Sequence, residues 1–290
     1  MTAFVALTVV ACFLHSPADD RRNDDPPFAQ EFTKIKAATE KIQQDAFRAF
    51  NNAKTQDERE SLQAEAFEVF CRGVAPLAEQ ALGLVTPHVQ DPAAVDVLTW
   101  VLTTHPTSTT AIKAADLLIQ HHLTDPKTQA AADRFAYAPR AWSEKLLRAL
   151  VASDLPPEKK GLAMFRLAHT LKSEALVARI MRDTKSDEPA SRLRELFSGK
   201  EYVAHLQSVD PEKLDAEAIQ LFTRIMDEYG DHKAGPKTLG QFAKSAIYEI
   251  EHLSTGKPAP EISGADIDGN PMKLSDFRGK VVLLDFWGHW

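Results

Sequence analysis

Apolar residues recur every three or four positions through most of the chain, from Phe28 to about Leu253. This spacing puts them on one face of a helix, so it predicts a succession of amphipathic helices. The first two stripes are Phe28, Phe32, Ile35, Ile42, Ala46 and Phe50, and then Leu62, Ala66, Phe70, Val74, Leu77, Ala81 and Leu84. We expect these stripes to form the core of the protein.

The clearest helix pair is predicted at 218–253, on either side of a turn marked by Gly and Pro. Its facing residues are Ile219, Phe222, Ile225 and Met226 on one helix, and Leu239, Phe242, Ala246 and Ile250 on the other. A stripe of Met and aromatic residues at helical spacing predicts core packing.

Asp-Pro pairs mark three predicted helix starts, at Asp91-Pro92, Asp125-Pro126 and Asp210-Pro211. An Asp N-cap accepts from the unpaired amides of the first turn, and Pro fits the first helical position because no donor is needed there. The starts come at irregular intervals. The region resembles a degenerate tetratricopeptide or HEAT-type antiparallel array, without a fixed period.

The helical region carries little recognisable chemistry. His121 and His122 are adjacent, so on a helix they point about 100° apart and do not suit one metal ion. Cys71 lies among apolar residues and is expected to be a buried structural thiol with a raised pKa. Trp100 and Trp142 are expected to lie in the core or between helices. We therefore predict no metal site and no cofactor.

Composition narrows the classes of partner. The 290 residues are 44% hydrophobic and 26% charged, with a net charge of −7, as in an ordinary globular protein. A nucleic acid or an anionic membrane needs a concentrated basic face, which this composition argues against. Only two cysteines occur, so a disulfide framework is excluded.

The first residues differ from the rest. Ala3 to Leu14 are uncharged and almost all apolar, a run shorter than the roughly 20 residues of a membrane span but suited to a signal peptide. We predict a leader at 1–18, either cleaved after Ala18 or lipidated at Cys12 within "VVAC", and a linker at 19–27. No Lys or Arg precedes the run, so an apolar N-terminus without a targeting role is the alternative. The protein is expected to be exported, to the periplasm or to the outer side of the inner membrane.

From Gly256 onward the pattern changes to strands and turns. Asp268-Gly269-Asn270 predicts a hairpin turn between two short strands. Lys280 to Phe286, "KVVLLDF", is a continuous apolar run, which is typical of a strand covered on both faces inside an α/β sheet.

The ordered pieces "GKPAPEI" and "DIDGNPMKLSDFRGKVVLLDFW" resemble the start of a thioredoxin-like domain of the redoxin family. That family includes TlpA/ResA-like thiol-disulfide oxidoreductases and AhpC/TSA peroxiredoxins, and "WGHW" favours the first branch. The resemblance implies a Cys-x-x-Cys directly after Trp290, at a helix N-terminus that stabilises thiolate. It also implies that Asp285 accepts a proton from the resolving cysteine, and that Trp287 and Trp290 flank the disulfide. A strand-end carboxylate without a catalytic role is the alternative for Asp285.

Together these patterns predict a mainly α protein. An antiparallel helical array at 28–253 is followed, at 256–290, by the N-terminal β-hairpin and first central strand of a thioredoxin-like α/β domain. We expect an exported thiol-disulfide oxidoreductase, reductase or peroxidase, whose client is a protein disulfide or thiol held by the helical region. The 290-residue chain itself should be catalytically incomplete, because the implied Cys-x-x-Cys would lie beyond Trp290. The alternative is a helical-repeat interaction protein that carries a remnant of a redox domain.

Overall fold

The computed structural model describes residues 26–183 and 195–285. The longer helices in the first range are α1 (Ala29–Ala46), α2 (Arg48–Asn52), α3 (Gln56–Val85), α4 (Ala94–Thr104), α5 (Thr109–His121), α6 (Pro126–Phe135), α7 (Ser143–Ala152) and α8 (Pro157–Asp183). In the second range they are α9 (Lys200–Ser208), α10 (Pro211–Tyr229) and α11 (Leu239–Tyr248). Short 3₁₀ turns lie at Thr86–His88 and Leu274–Phe277, and a π-helical turn lies at Glu249–Leu253. The prediction of a mainly α fold is confirmed.

Among the described residues, four short strands form two antiparallel pairs. β1 (Lys233–Ala234) pairs with β2 (Lys237–Thr238) between α10 and α11, and β3 (Ser263–Ala265) pairs with β4 (Pro271–Lys273) in the C-terminal tail.

Side chains cap the helices where the sequence places a suitable residue. Asp125 caps α6 by accepting from the Lys127 amide at 2.7 Å, and Asp210 caps α10 by accepting from the Glu212 amide at 3.1 Å. Each of these helices then begins with Pro, as predicted. Asp91 differs slightly, because it caps a turn that ends just before α4.

The first predicted helix is divided in two. Its apolar stripe runs on to Phe50, but α1 ends at Ala46 and Phe47 separates it from α2. Phe47 is buried in a small cluster with Phe70 and Val74 of α3. Breaking the helix there lets α2 fold back onto α3, which a straight helix could not do.

The main core is one cluster of buried aliphatic and aromatic side chains, to which α1, α3 to α8, α10 and α11 all contribute. Trp142 is fully buried, as predicted, and its indole Nε1 donates to the carbonyl of Pro106 at 3.0 Å. α8 and α10 approach closely at Gly161, where an added Cβ would lie 2.8 Å from Tyr229 Cγ.

The predicted helix pair at 218–253 is present, but one of the residues predicted to face its core is exposed. Phe222 and Ile225 of α10 are fully buried, but Met226 is 40% exposed. At 100° per residue, Met226 lies about 70° from the middle of the buried face, which Phe222, Ile225 and Tyr229 define. The prediction that Met226 belongs to the core was wrong. The class of helical repeat and the domain boundaries stay predictions.

The predicted hairpin in the tail is confirmed. Ser263 pairs with Lys273, and Asp266 closes the loop by accepting from the amides of Asp268 at 2.9 Å and Asn270 at 2.8 Å. Gly269 has a φ of 82°, a conformation that few other residues adopt readily.

The predicted central strand at Lys280–Phe286 is not found over its described part, residues 280–285. These residues are exposed and lie outside any strand, with Val281 and Leu283 almost fully accessible. A strand is defined by hydrogen bonds to a neighbour, and no partner strand pairs with this segment within the described ranges. A thioredoxin-like sheet is therefore not formed here.

The predicted leader, including Cys12, lies outside the described residues. Over residues 26–183 and 195–285, none of the helices has both the length and the apolar character that crossing a bilayer requires.

Candidate functional site

The residues predicted to surround a redox centre are only partly described. Asp285 is exposed at the end of the extended tail segment, and Trp287 and Trp290 lie outside the described residues. Of these three side chains, the structure describes only that of Asp285. Their assigned roles stay predictions.

Cys71 sits on α3 and is half-buried against the small cluster around Phe47. Burial raises the pKa of the Cys71 thiol to about 12, which agrees with the sequence prediction. At neutral pH the group is a protonated thiol, and only thiolate attacks a disulfide. Cys71 is consequently unsuited to thiol-disulfide exchange.

A groove of about 1010 Å³ lies between α8, the β1–β2 turn and α11. Its apolar lining includes Leu162, Phe165, Leu239 and Phe242. Charged side chains of both signs also line it, namely Glu158, Lys159, Arg166, Asp231 and Lys233. An apolar surface with charged groups beside it suits a peptide segment with an apolar side chain.

His169 lies within this groove, on α8. Its ring centroid is 4.5 Å from that of Phe165 and 5.2 Å from that of Phe222. Burial, together with the positive charges of Lys172 and Arg166, lowers the pKa of His169 to about 4, and the charge of Glu249 opposes this shift. His169 is therefore neutral at pH 7 and contributes an apolar ring to the groove.

A second, smaller cleft of about 290 Å³ holds a cluster of two carboxylates and an imidazole. Glu144 comes from the first turn of α7, Glu174 from the middle of α8 and His205 from α9. His205 Nε2 lies 3.6 Å from Glu144 Oε2 and 3.7 Å from Glu174 Oε2. One donor atom from each residue falls within 4.8 Å of the others, so these three side chains could hold a metal ion.

Glu174 is the unusual member of the cluster, since its side chain is fully buried. Burial raises the pKa of Glu174, and the nearby Glu144 charge adds to this effect. Interaction with Glu174 raises the pKa of His205, while desolvation opposes it. Neither oxygen of Glu174, nor Nε2 of His205, has a hydrogen-bond partner within the described parts of the chain.

The cleft is walled by charged and aromatic side chains. Arg148 Nε donates to Glu144 at 2.6 Å, and its two terminal nitrogens donate to Glu217 at 2.6 and 3.0 Å. Arg140 is buried and donates to the carbonyls of Ala138 and Pro139. Tyr202 is also buried, and burial raises the pKa of its hydroxyl.

Sequence reasoning missed this cluster, because its three members are about 30 residues apart along the chain and match no spacing motif. One signal was available. Glu174 falls on the buried stripe of α8, between Leu171 and Ala178, where an acidic residue is costly unless it has a partner. A carboxylate on an apolar helix face is therefore a candidate functional residue.

Comparison with known proteins gives one consistent similarity. The chain is 43% identical over 51 residues to the thiol-disulfide oxidoreductase ResA of Bacillus cereus (strain ATCC 10987 / NRS 248), covering 18% of this chain and 27% of that protein. ResA of Bacillus thuringiensis subsp. konkukian (strain 97-27) is 45% identical over 51 residues, with the same coverage. ResA of Bacillus subtilis (strain 168) is 40% identical over 53 residues, covering 18% of this chain and 30% of that protein.

These matches cover a small part of each protein. The chain spans less than a third of the length of these curated relatives. No family model matches the chain, and no solved structure matches it significantly. The chain therefore contains a short region similar to thiol-disulfide oxidoreductases.

Proposed function

We propose that this chain is part of an exported thiol-disulfide oxidoreductase of the thioredoxin-like redoxin type, with a helical region in front of the redox domain. The observation that carries the proposal is the identity of 43% over 51 residues to a thiol-disulfide oxidoreductase. The ordered motifs from Gly256 onward, with the Asp266 hairpin, support assigning the similarity to the C-terminal tail.

The reaction requires a reactive thiolate, which Cys71 does not supply. In this proposal the reacting pair is a Cys-x-x-Cys that follows Trp290 in the full protein, at the start of a helix whose N-terminal amides stabilise thiolate. Asp285 would accept the proton of the resolving cysteine, and Trp287 and Trp290 would limit access to the disulfide. The exposed segment 280–285 would become the central strand once neighbouring strands cover it.

The groove on α8 and α11 is the proposed holding site for a client protein. Its apolar lining, which includes Phe165 and Phe242, would bury a side chain next to the client's disulfide or thiol. The groove is also lined by Lys159, Lys233, Glu158 and Asp231, which would orient a segment with charges of both signs.

Export is the corresponding proposal for location. The uncharged run from Ala3 to Leu14 would direct the chain out of the cytoplasm, with cleavage after Ala18 or lipidation at Cys12. An oxidising compartment outside the inner membrane is where a thiol-disulfide oxidoreductase meets disulfide-bonded clients.

An insulin reduction assay tests the proposed activity. The 290-residue chain is expected to be inactive, because its described thiol is protonated at neutral pH. A gene product that continues past Trp290 through a Cys-x-x-Cys should reduce insulin with dithiothreitol or thioredoxin reductase as the electron donor.

Turnover of Asp285→Asn in that longer protein should fall by about 10²-fold or more near pH 7, the low end of a general acid–base contribution.

The pH profile gives the control for the Asp285 role. The deficit of Asp285→Asn should shrink as pH rises, because hydroxide then deprotonates the resolving thiol directly. Asp276→Asn, an exposed carboxylate in the same tail, should retain full turnover. Equal activity of the 290-residue chain and the longer protein would refute the assignment of the chemistry to the missing dithiol.

The second candidate function is an interaction protein that uses the groove without redox chemistry. The size of the groove and the exposure of residues 280–285 favour it. Under that hypothesis the longer protein would not reduce insulin, yet Phe242→Glu would still abolish capture of a reduced, carboxymethylated client peptide.

A further inference from the structure

We propose that Glu144, Glu174 and His205 bind a divalent transition-metal ion between helices α7, α8 and α9. The site would take a borderline cation such as Zn²⁺, Mn²⁺ or Co²⁺, which carboxylate and imidazole ligands suit together. The site lies on the helical region and not on the C-terminal tail from Gly256 onward. Metal binding there would make the state of the helical region depend on the metal concentration.

The distances fit a metal ion better than direct hydrogen bonds. His205 Nε2 lies 3.6 and 3.7 Å from one oxygen of each carboxylate, which is too far for a good hydrogen bond. Two ligands of a tetrahedral metal, each about 2.0–2.1 Å from it, are separated by roughly 3.4 Å. The two gaps from His205 exceed that separation by a few tenths of an ångström, and the gap between the two carboxylates is at most 4.8 Å.

Burial of Glu174 supplies the second, independent argument. A fully buried carboxylate with no hydrogen bond to either oxygen, from any described residue, is a rare and costly arrangement. Its side chain lines the cleft together with His205. A cation bound there would supply the partner that both groups lack.

The neighbouring side chains hold one ligand in place. Glu144 Oε1 accepts from Arg148, and Arg148 is in turn held by both oxygens of Glu217. This leaves Oε2 of Glu144 directed at His205, as in metal sites whose ligating carboxylates are fixed by a further hydrogen bond.

The other cations of the cleft have partners elsewhere. Lys145 pairs with Asp116 at 2.6 Å, and Arg140 donates to two backbone carbonyls. With Arg148 shared between two glutamates, His205 is the basic group closest to Glu174. A neutral His205 and two carboxylates leave a charge of −2, which a divalent ion neutralises.

The test is Co²⁺ binding to the tag-free full chain at pH 7.5, followed by the visible absorption of the bound metal and by equilibrium dialysis. One Co²⁺ per chain should bind saturably, and Zn²⁺ should displace it. His205→Gln and Glu174→Gln should each weaken the Co²⁺ affinity by at least tenfold. Matched controls are His252→Gln and Glu228→Gln, both exposed and outside the cleft, which should bind as the unmodified chain does.

Circular dichroism in EDTA shows whether each variant folds without metal. If Glu174→Gln does not fold, then His205→Gln and Glu144→Gln decide the question, because both positions are partly exposed. A folded chain without saturable Co²⁺ binding would overturn the proposal and leave His205 and the Tyr202 hydroxyl as the groups that face Glu174. Unchanged binding in His205→Gln would overturn it equally.

Discussion

Replacing Phe222 by alanine should lower the free energy of unfolding by about 3–5 kcal/mol, the usual cost of removing a buried aromatic side chain. Phe222 is fully buried on α10, and its ring contacts those of Phe165 and His169 on α8. The pair α8–α10 makes the most extensive helix contact among the described elements, so little rearrangement can fill the resulting cavity. Urea denaturation followed by circular dichroism measures the change.

Met226→Ala is the matched control, one turn further along the same helix. Met226 is 40% exposed, so its truncation should cost less than about 1 kcal/mol. A loss at Met226 as large as that at Phe222 would mean that the register of α10 against α8 is wrong.

The second large effect is the pH dependence that His169 gives to folding. The pKa of His169 is about 4 in the folded protein, against an ordinary value of 6.5. Since the folded pKa is the lower one, the neutral form stabilises the fold fully above about pH 6.5, and this stability is lost as pH falls towards 4. The loss should reach about 3 kcal/mol, because each pKa unit corresponds to 1.36 kcal/mol.

The variant His169→Leu separates the effect of His169 on the free energy of unfolding from the effects of carboxylates that titrate in the same pH range. The difference in unfolding free energy between the two proteins should be constant above pH 7 and should shift in favour of leucine between pH 6.5 and 4. Glu249, Lys172 and Arg166 face His169 and stay unchanged in both proteins. A difference between the two proteins that stays constant down to pH 4 would contradict the burial of His169.

Local signals account for the parts of the fold that the sequence predicted well. Asp125 and Asp210 cap helices because their oxygens reach the first free amides, and the Asp266 loop follows from residues within five positions of one another. Such contacts depend on nearby sequence alone. The break at Phe47 and the exposure of Met226 depend on where α3 and α8 lie, which periodicity does not reveal.

The two candidate sites also differ in whether the sequence could predict them. The redox resemblance could be read from contiguous motifs, and a short similarity to ResA supports it. The Glu144–Glu174–His205 cluster could not, since it forms only when α7, α8 and α9 pack together. The predicted strand is absent over its described residues, 280–285, because a strand requires a neighbour and apolar character alone supplies none.

The loop held by Asp266 also bears on the order in which the tail can organise. Its most distant strand pair, Ser263 with Lys273, joins residues ten positions apart, so closing the loop costs little entropy and the hairpin can form in about 1–10 μs. A strand at 280–285 needs partners from much more distant sequence, and pairing of that kind is slow. During synthesis the hairpin would form early, and Val281 to Leu284 would remain open to water and chaperones for as long as no strand pairs with them.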